Sequence, residues 1–271
     1  MQLFASLPMY DWPEIRQSTD LYWNFLATSL ADHGFAKDRI PASLSRDGDP
    51  HAYWLREDML LSQTCGLPYV RELKDNVTLL GSPAYDLECA AGSYFSVIIT
   101  HKNNSAASAM DIAGGSFAFN DLRSQSGYAA FFQYLQMRGA TRFDGVGVSS
   151  GSHLASIKMV AGGKADFAAI DAVSFRLAQR HVEDTEEVQV LAKTSVTPGL
   201  PYIASASLNG QKREINSAIR QAIEALPEQA KSDLFLTGFV EREMSDYDVI
   251  HDKWIGIAKV GFVSSDAKFK S

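Results

Sequence analysis

The stretch Asp144–Asp171, DGVGVSSGSHLASIKMVAGGKADFAAID, carries the pattern on which the fold class depends. DGVGVSS and ADFAAI are predicted strands, and HLASIKMV between them is a predicted helix that ends at Gly162 and Gly163. A strand, a helix and a second strand in succession are typical of a parallel sheet covered by helices.

The same alternation extends in both directions along the chain. MLLSQ, NVTLLG, YFSVIIT and SFAFN are predicted strands. A helix follows SFAFN, because Tyr128, Phe131, Phe132 and Leu135 have i, i+3, i+4 and i+7 spacing before Gly139. We predict a further strand at YIASAS, a helix at REINSAIRQAIEALP and a helical tail. The expected class is α/β, with mostly parallel sheets and helices on both faces.

Length and charge limit the possible functions. The 271 residues correspond to roughly two domains of about 150 residues. Lys and Arg number 25 against 32 Asp and Glu, a net charge of −7, and no basic tract is present. A nucleic-acid partner and an anionic membrane surface are therefore not expected. An anionic ligand would have to be held by local dipoles.

No apolar run reaches the eighteen or so residues that a membrane span needs. No export leader is visible before the first predicted strand, so we expect either a cytoplasmic protein or a periplasmic protein from which a leader was removed. The six histidines have no metal-ligand spacing, and neither a metal nor a cofactor is expected. Cys65 and Cys89 leave two possibilities open, buried thiols or one disulfide.

Two segments of the middle block have the same construction, a strand, a Ser- and Gly-rich turn and a helix. The first runs over 119–128 and the second over 148–153. In a parallel sheet both turns lie at the carboxyl edge, where the N–H groups of two helix starts can converge on one anion. Taken singly, Ser126 and Ser152 can also be simple helix caps.

An enzyme is the alternative that one motif supports. Gly147–Gly151 matches GxSxG, the nucleophile elbow of α/β-hydrolases, with Ser149 as the nucleophile. Such an enzyme needs an acid and then a histidine downstream. His181 and His251 are available, but neither lies in a recognisable strand-end loop.

Two tyrosines lie at the edges of predicted strands in the first lobe. Tyr10 follows the first strand and Tyr94 begins the YFSVIIT segment. A phenol at either place could close over a ligand held by the second lobe, whereas most other aromatic residues are expected in packing roles.

At this point the sequence resembles the phosphate, phosphonate and phosphite type of ABC-transporter solute-binding proteins, which have the type II periplasmic-binding-protein fold. The resemblance covers nearly the whole chain. It rests on the collinear order of SLPMYDWPE, LSQTCGLPY, YFSVIIT, SQSGY, SGSHLASIKMVAGGKADFAAID and SDYDVI. This resemblance favours a disulfide between the two cysteines.

The resemblance also implies the binding residues. The anion-binding turn matches Ser124, Gln125 and Ser126, and the ligand-binding histidine matches His153. Asp171 matches an acidic residue that faces the organic end of the ligand, although it could equally be the N-cap of AVSFRLAQR. Tyr94 matches an aromatic residue of the first lobe, and Tyr10 is a looser match.

Two departures bear on specificity. Gln125 stands where a hydroxyl residue is common, which removes one short donor. Gly199 and Leu200 occupy a place where some aminophosphonate binders carry an acid, so a ligand amine would lose a partner.

We therefore predict two lobes, 1–101 plus 195–271 and 102–194, with hinges around Ile98 and Ser195 and an interlobe cleft as the ligand site. The protein would be a monomer that captures a small oxyanion reversibly, without breaking bonds, and passes it to an ABC permease. A ligand-sensing module with the same cleft is the second possibility.

Overall fold

The structure, a computed structural model, describes residues 2–111 and 113–259. The strands are β1 (Phe4–Ser6), β2 (Met59–Gln63), β3 (Val77–Tyr85), β4 (Ser93–Tyr94), β5 (Ser96–His101), β6 (Ser116–Phe119), β7 (Val146–Ser149), β8 (Phe167–Asp171), β9 (Val188–Lys193), β10 (Thr197–Pro198), β11 (Tyr202–Ser205) and β12 (Leu236–Glu241).

The helices alternate with these strands. The α-helices are α1 (Arg16–Asp32), α2 (Pro50–Tyr53), α3 (Gly66–Pro68), α4 (Ala130–Met137), α5 (His153–Ala161), α6 (Ala172–His181), α7 (Lys212–Ala225), α8 (Glu228–Leu234) and α9 (Asp248–Lys259). Short 3-10 turns lie at Pro13–Ile15, Glu183–Glu187, Ala206–Gln211 and Met244–Tyr247, and π-helical turns lie at Tyr69–Leu73 and Gln125–Ala129.

The chain forms two compact units. Of the described residues, the first unit comprises 2–93 and 198–248, and the second comprises 94–111, 113–197 and 249–259. The boundaries differ from the predicted ones near 101 and 195, and β5, which contains the expected hinge residue Ile98, is a strand inside the second unit.

The C-terminal helix α9 is the largest difference from the predicted division, because it groups with the second unit instead of the first. Ile250 and Ile257 on this helix are fully buried. A Cβ added to Gly256 would stand 3.4 Å from the Gln136 side chain of α4. The apolar face of α9 thus packs against the second unit, which its position in the sequence does not show.

Besides a two-stranded sheet of β10 and β4, the described residues form two five-stranded sheets, and both of these are mixed, whereas mostly parallel sheets were expected. The first unit has the strand order β1-β2-β11-β3-β12, in which β1 and β2 are parallel but β11 is antiparallel to β2 and β3, and β12 to β3. Antiparallel partners need no helical crossover. Strand β12 was expected to be helical, yet it extends the sheet at the edge beside β3.

The second unit has the order β7-β6-β8-β5-β9. Strand β6 is parallel to β7 and β8, and β5 is antiparallel to β8 and β9. Strands β6 and β7 belong to the two predicted strand-turn-helix segments, and β8 is the predicted ADFAAI strand. Their carboxyl ends therefore lie at one edge, as the sequence indicates.

An aromatic cluster fixes the helix after β6 against this sheet. Phe117 on β6 lies 4.4 Å from Phe131 on α4 and 5.2 Å from Phe167 on β8, between ring centroids. All three rings are fully buried. Tyr128 and Phe132 join the cluster at 4.9 Å from each other. Burying such rings stabilises a fold by about 1.5–3 kcal/mol each, so the helix start has a rigid base.

In the first unit, an arginine ties together the segments that lead to the second. Arg242 donates through Nη2 to the Gly92 carbonyl (2.7 Å) and to Ser93 Oγ (3.2 Å), and through Nε to Ser82 Oγ (3.1 Å). The Gly199 N–H donates to the same Gly92 carbonyl (2.8 Å). Both chain segments at this boundary are therefore hydrogen-bonded to the first unit.

The cysteines are half-buried thiols with no bond between their sulfur atoms, so the disulfide that the resemblance favours is not formed here. Cys89 Sγ donates to the Ser93 carbonyl (3.2 Å), while Cys65 lies at the start of α3. Among residues 2–111 and 113–259, no helix combines the length and the apolar character that crossing a membrane requires.

Candidate functional site

The candidate site lies at the carboxyl edge of the parallel strands in the second unit. Strands β6, β7 and β8 end at Phe119, Ser149 and Asp171, and Phe119 is in register with Ser149. A turn after each of the first two strands leads into a helix, and α6 follows β8 directly. Three helix starts therefore share this edge, and each brings N–H groups that have no acceptor within its own helix.

The Ser-rich turn begins with a cap and a π-helical turn. Ser124 has extended backbone and its Oγ accepts from the Gly127 N–H (2.9 Å), while its carbonyl accepts from the Ala129 N–H (3.1 Å). The Ser126 amide lies in the first turn of this helical segment, where backbone N–H groups generally have no acceptor within the helix. Gln125 and Ser126 are buried. The sequence thus places a donor group where solvent has little access.

His153 joins the second helix start to this turn. It is the first residue of α5, after Ser152, whose Oγ caps the helix by accepting from the Ala155 N–H (3.0 Å). His153 Nε2 lies 3.0 Å from Ser126 Oγ, and its Nδ1 is buried with no hydrogen-bond partner among the residues that the structure describes. The two helix starts are therefore in direct contact through one Ser–His pair.

Burial keeps the imidazole of His153 uncharged. Desolvation lowers the pKa of His153 to about 4, from 6.5 for a solvated histidine. A neutral ring carries one N–H, and Ser126 carries one hydroxyl proton. One of these two protons is used in the bond between the residues, so the pair has one donor left for a third group in either tautomer.

Asn120 lies beside this pair and was not singled out from the sequence. Its Oδ1 is buried with no donor among the described residues. A Cβ added to Gly127 would stand 1.9 Å from that oxygen and 3.0 Å from His153 Cε1. The space that a side chain at position 127 would need is therefore filled by Asn120, which explains the glycine. The only signal in the sequence is the position of Asn120 directly after a strand.

Ser96 is the second residue that the sequence analysis missed. It lies on β5, opposite Asp171 in the antiparallel register, and its Oγ donates to the Ser126 carbonyl (2.9 Å). This bond fixes the Ser-rich turn from the neighbouring strand. Because β5 is separated from the turn by about thirty residues, no local spacing indicates the contact.

Asp171 is an N-cap. Its Oδ1 accepts from the Val173 N–H (2.8 Å) and the Ser174 N–H (3.0 Å) at the start of α6, and its side chain is buried. The capping alternative is therefore confirmed. Its position opposite Ser96 brings it to the same edge as the turn.

The two tyrosines belong to different units, whereas both were expected in the first lobe. Tyr94 is a buried residue of β4 in the second unit. Tyr10 belongs to the first unit, where its ring meets Tyr85 edge-on at 5.2 Å and lines a cavity of about 30 Å³ with Tyr22, Gln63 and Tyr202 among others. Gly199, one of the two departures from the family pattern, also lies in the first unit, where its carbonyl accepts from Tyr247 (2.8 Å).

The GxSxG motif does not form a catalytic triad in the part of the chain that is described. Ser149 is exposed at the end of β7, and no hydrogen bond joins it to a histidine there. The histidine nearest in sequence, His153, bonds Ser126 instead. Within the same ranges no group of three or more His, Cys, Asp and Glu side chains is placed to hold a metal ion.

Comparisons with known proteins identify a family. Residues 58–247 match the family described as "ABC transporter, phosphonate, periplasmic substrate-binding protein". No curated protein sequence matches the chain.

Solved structures share its fold. A Prochlorococcus marinus protein in complex with methylphosphonate superposes with a TM-score of 0.72 at 17% identity, over 95% of this chain and 99% of that one. The binding component of a Pseudomonas aeruginosa ABC phosphonate transporter superposes with a TM-score of 0.72 at 15% identity, over 98% of this chain and 92% of that one. A Xanthomonas citri protein bound to ATP superposes with a TM-score of 0.70 at 14% identity, over 97% of this chain and 100% of that one.

These structural identities are too low to show more than the fold, which is the two-lobe α/β fold of type II periplasmic binding proteins. The sequence match covers 190 residues, more than half of the chain. The chain therefore belongs to the family of phosphonate periplasmic substrate-binding proteins of ABC transporters.

Proposed function

We propose that this protein captures a small phosphonate-like or phosphate-like oxyanion reversibly at the helix starts of its second unit and delivers it to an ABC permease. The observation that carries the proposal is the 3.0 Å contact between Ser126 Oγ and His153 Nε2, which joins the starts of two helices at one sheet edge. Helix starts present N–H groups and a positive dipole end, and tetrahedral oxyanions suit both.

The donors that would hold the anion are uncharged. The Ser126 N–H, the remaining proton of the Ser126–His153 pair and the dipoles of two helices provide directional hydrogen bonds, while the chain as a whole is acidic. Such local donors act at short range, so they can bind an anion that the net charge repels at a distance. The reversible role, with no bond broken, is supported by the match to the family of phosphonate substrate-binding proteins.

Other residues keep more limited roles in the proposal. Ser124 shapes the turn through its cap and Gln125 contributes a buried side chain at its start. Asp171 facing the organic end of a ligand, and contacts from Tyr94 and Tyr10, stay predictions. Replacing each tyrosine with Phe and measuring ligand affinity tests the last two.

Isothermal titration calorimetry tests the function directly. The panel is methylphosphonate, phosphate, methanesulfonate, acetate and ATP, with protein refolded to remove bound cargo. We expect Ser126→Ala and His153→Ala to weaken binding of the preferred oxyanion by about 1.5–3 kcal/mol each, or roughly 10- to 150-fold in Kd. Ser149→Ala, an exposed serine at the same sheet edge, is the matched control and should leave Kd unchanged.

Failure of every anion to bind at millimolar concentration would contradict the proposal. Equal effects of all three substitutions would remove the Ser126–His153 pair from the site. Preference for ATP over the small anions would assign the donors to a nucleotide phosphate. A serine hydrolase would instead show labelling of Ser149 by a fluorophosphonate probe, which we do not expect.

The partner and the compartment follow from the family. We infer a permease partner and a periplasmic location, and we expect a monomer. Pull-down from the native host separates transport, which recovers a permease, from sensing, which recovers another protein. Cell fractionation and light scattering of the purified chain test the other two expectations.

A further inference from the structure

The carbonyl oxygen of Asn120 is a buried hydrogen-bond acceptor that the fold itself does not use. Asn120 follows the last residue of β6, Phe119, whose carbonyl accepts from the Ser150 N–H (2.8 Å) and from Ser150 Oγ (3.0 Å). The backbone before Asn120 is therefore held in place. Its Oδ1, in contrast, has no donor among residues 2–111 and 113–259. Buried polar atoms in folded proteins are nearly always paired, so a partner from outside the chain is expected here.

This acceptor stands next to the proposed anion donors. Both Asn120 Oδ1 and His153 Cε1 lie within 3.0 Å of the point where a Cβ on Gly127 would stand. The atom Cε1 lies between the two ring nitrogens of His153, of which Nε2 meets Ser126 and Nδ1 has no partner in the described chain. An oxyanion held by the Ser126–His153 pair would thus face several hydrogen-bond donors of the protein and one acceptor, Asn120 Oδ1.

We propose that Asn120 is a specificity-determining residue whose carbonyl oxygen accepts a hydrogen bond from a protonated oxygen of the ligand. This inference rests on the proposed function and names its substrate class, singly protonated phosphorus oxyanions. A phosphonate monoanion has one P–O–H donor. A sulfonate and a phosphonate dianion have none, so their oxygens would face the Asn120 oxygen as acceptor against acceptor. Sites that bury an unpaired polar group in this way reject such analogues strongly.

The charged and titratable side chains on the segments that meet at this turn do not supply the missing donor. His153 on α5 is neutral above about pH 5, because burial lowers its pKa to about 4. Asp171 at the start of α6 is an acceptor and caps its own helix. Arg123, on the Ser-rich turn, is paired with Asp121 through Nε (3.2 Å). The pH dependence of binding near neutrality would therefore arise from the second ionisation of the ligand.

Calorimetry with methylphosphonate and methanesulfonate tests the inference, because the two anions have similar shape and only the phosphonate can be protonated near pH 6. For the unmodified protein we expect methylphosphonate to bind on the order of 100-fold more tightly than methanesulfonate. It should also bind more tightly at pH 6 than at pH 8.5. The variant Asn120→Leu, similar in size and without an acceptor, should reduce the discrimination at least about tenfold and lose the pH dependence.

Asn103→Leu, an exposed asparagine of the same unit, is the matched control and should behave as the unmodified protein does. If Asn120→Leu does not fold, Asn120→Ala replaces it. Equal binding of the two anions, tighter binding of methylphosphonate at pH 8.5, or unchanged discrimination in the variant would overturn the inference and leave the proposed function standing. Absence of binding by both anions would instead contradict the proposed function itself.

Discussion

The buried histidine predicts how the stability of this protein depends on pH. Desolvation lowers the pKa of His153 from 6.5 to about 4 in the folded chain. Between these values the unfolded chain takes up a proton that the folded chain does not, so stability falls as the pH is lowered from about 7 to about 4. Below that range this contribution is constant. A shift of this size corresponds to about 3 kcal/mol in full, and about 2 kcal/mol of it is lost by pH 5.

Replacement by glutamine removes the titration and keeps a polar side chain of similar length. When the pH is lowered from 7.5 to 5, the free energy of unfolding should fall by about 2 kcal/mol less in His153→Gln than in the unmodified protein. The measurement is urea unfolding followed by circular dichroism, in zwitterionic buffers that contain no phosphate. His181→Gln is the control, because this histidine is exposed at the end of α6 and remains solvated on unfolding.

Equal losses for His153→Gln and the unmodified protein would refute the reasoning, since the proton uptake would then lie elsewhere. A pH dependence removed by His181→Gln would do the same. Added methylphosphonate should raise stability in the unmodified protein, which separates the effect of the proton from the effect of an occupied site.

Three further substitutions test the packing around the site and the segment between the units. Asp171→Ala should lower the free energy of unfolding by about 1 kcal/mol because the cap of α6 is lost. Asp171→Ser should retain most of that stability, because serine can also cap a helix. Equal losses of stability in the two variants would argue against the capping role. Gly127→Ala should lower the free energy of unfolding by about 1–3 kcal/mol, because the added Cβ clashes with the Asn120 side chain. Gly114→Ala is the control and should be nearly neutral, because no atom lies within 4 Å of the added Cβ. Thermal unfolding compares the two variants, and similar melting temperatures would contradict the clash. Arg242→Lys keeps the charge but not the forked donor. In urea unfolding this variant should have a free energy of unfolding lower by about 1.5–3 kcal/mol. Unchanged stability would show that the hydrogen bonds of Arg242 contribute nothing.

Much of the fold could be predicted because it depends on local patterns. The helix after β6 has its apolar residues at helical spacing, and the structure buries Phe131 and Phe132 on that face. Strand β12 was missed because the apolar spacing around Phe239 does not distinguish a helix from a strand. Its residues form a strand because they pair with β3, more than 150 residues earlier. The position of α9 was missed because the sequence does not show that Gly256 lies beside Gln136 of α4.

The candidate site was predicted to the extent that it follows strand ends. Ser126 and His153 lie in turns that follow predicted strands and open helices, so their meeting could be expected from parallel-sheet geometry. Asn120 has only its position directly after a strand as a signal, and Ser96 has no local signal. The role of Asn120 depends on the missing side chain of Gly127, and that of Ser96 on a strand that reaches the turn from the other side of the sheet.

The π-helical turn at Gln125–Ala129 has a consequence for how this site can change. Its wider ring closes between the Ser124 carbonyl and the Ala129 N–H, so one more residue fits between the cap and the core helix than a regular α-turn would hold. The π-helical turn therefore sets the angle about the helix axis between the serines and the aromatic residues that follow them. Deleting a single residue here would turn one set by about 100° relative to the other, so substitutions, rather than changes in length, are the route by which related chains can acquire a new ligand.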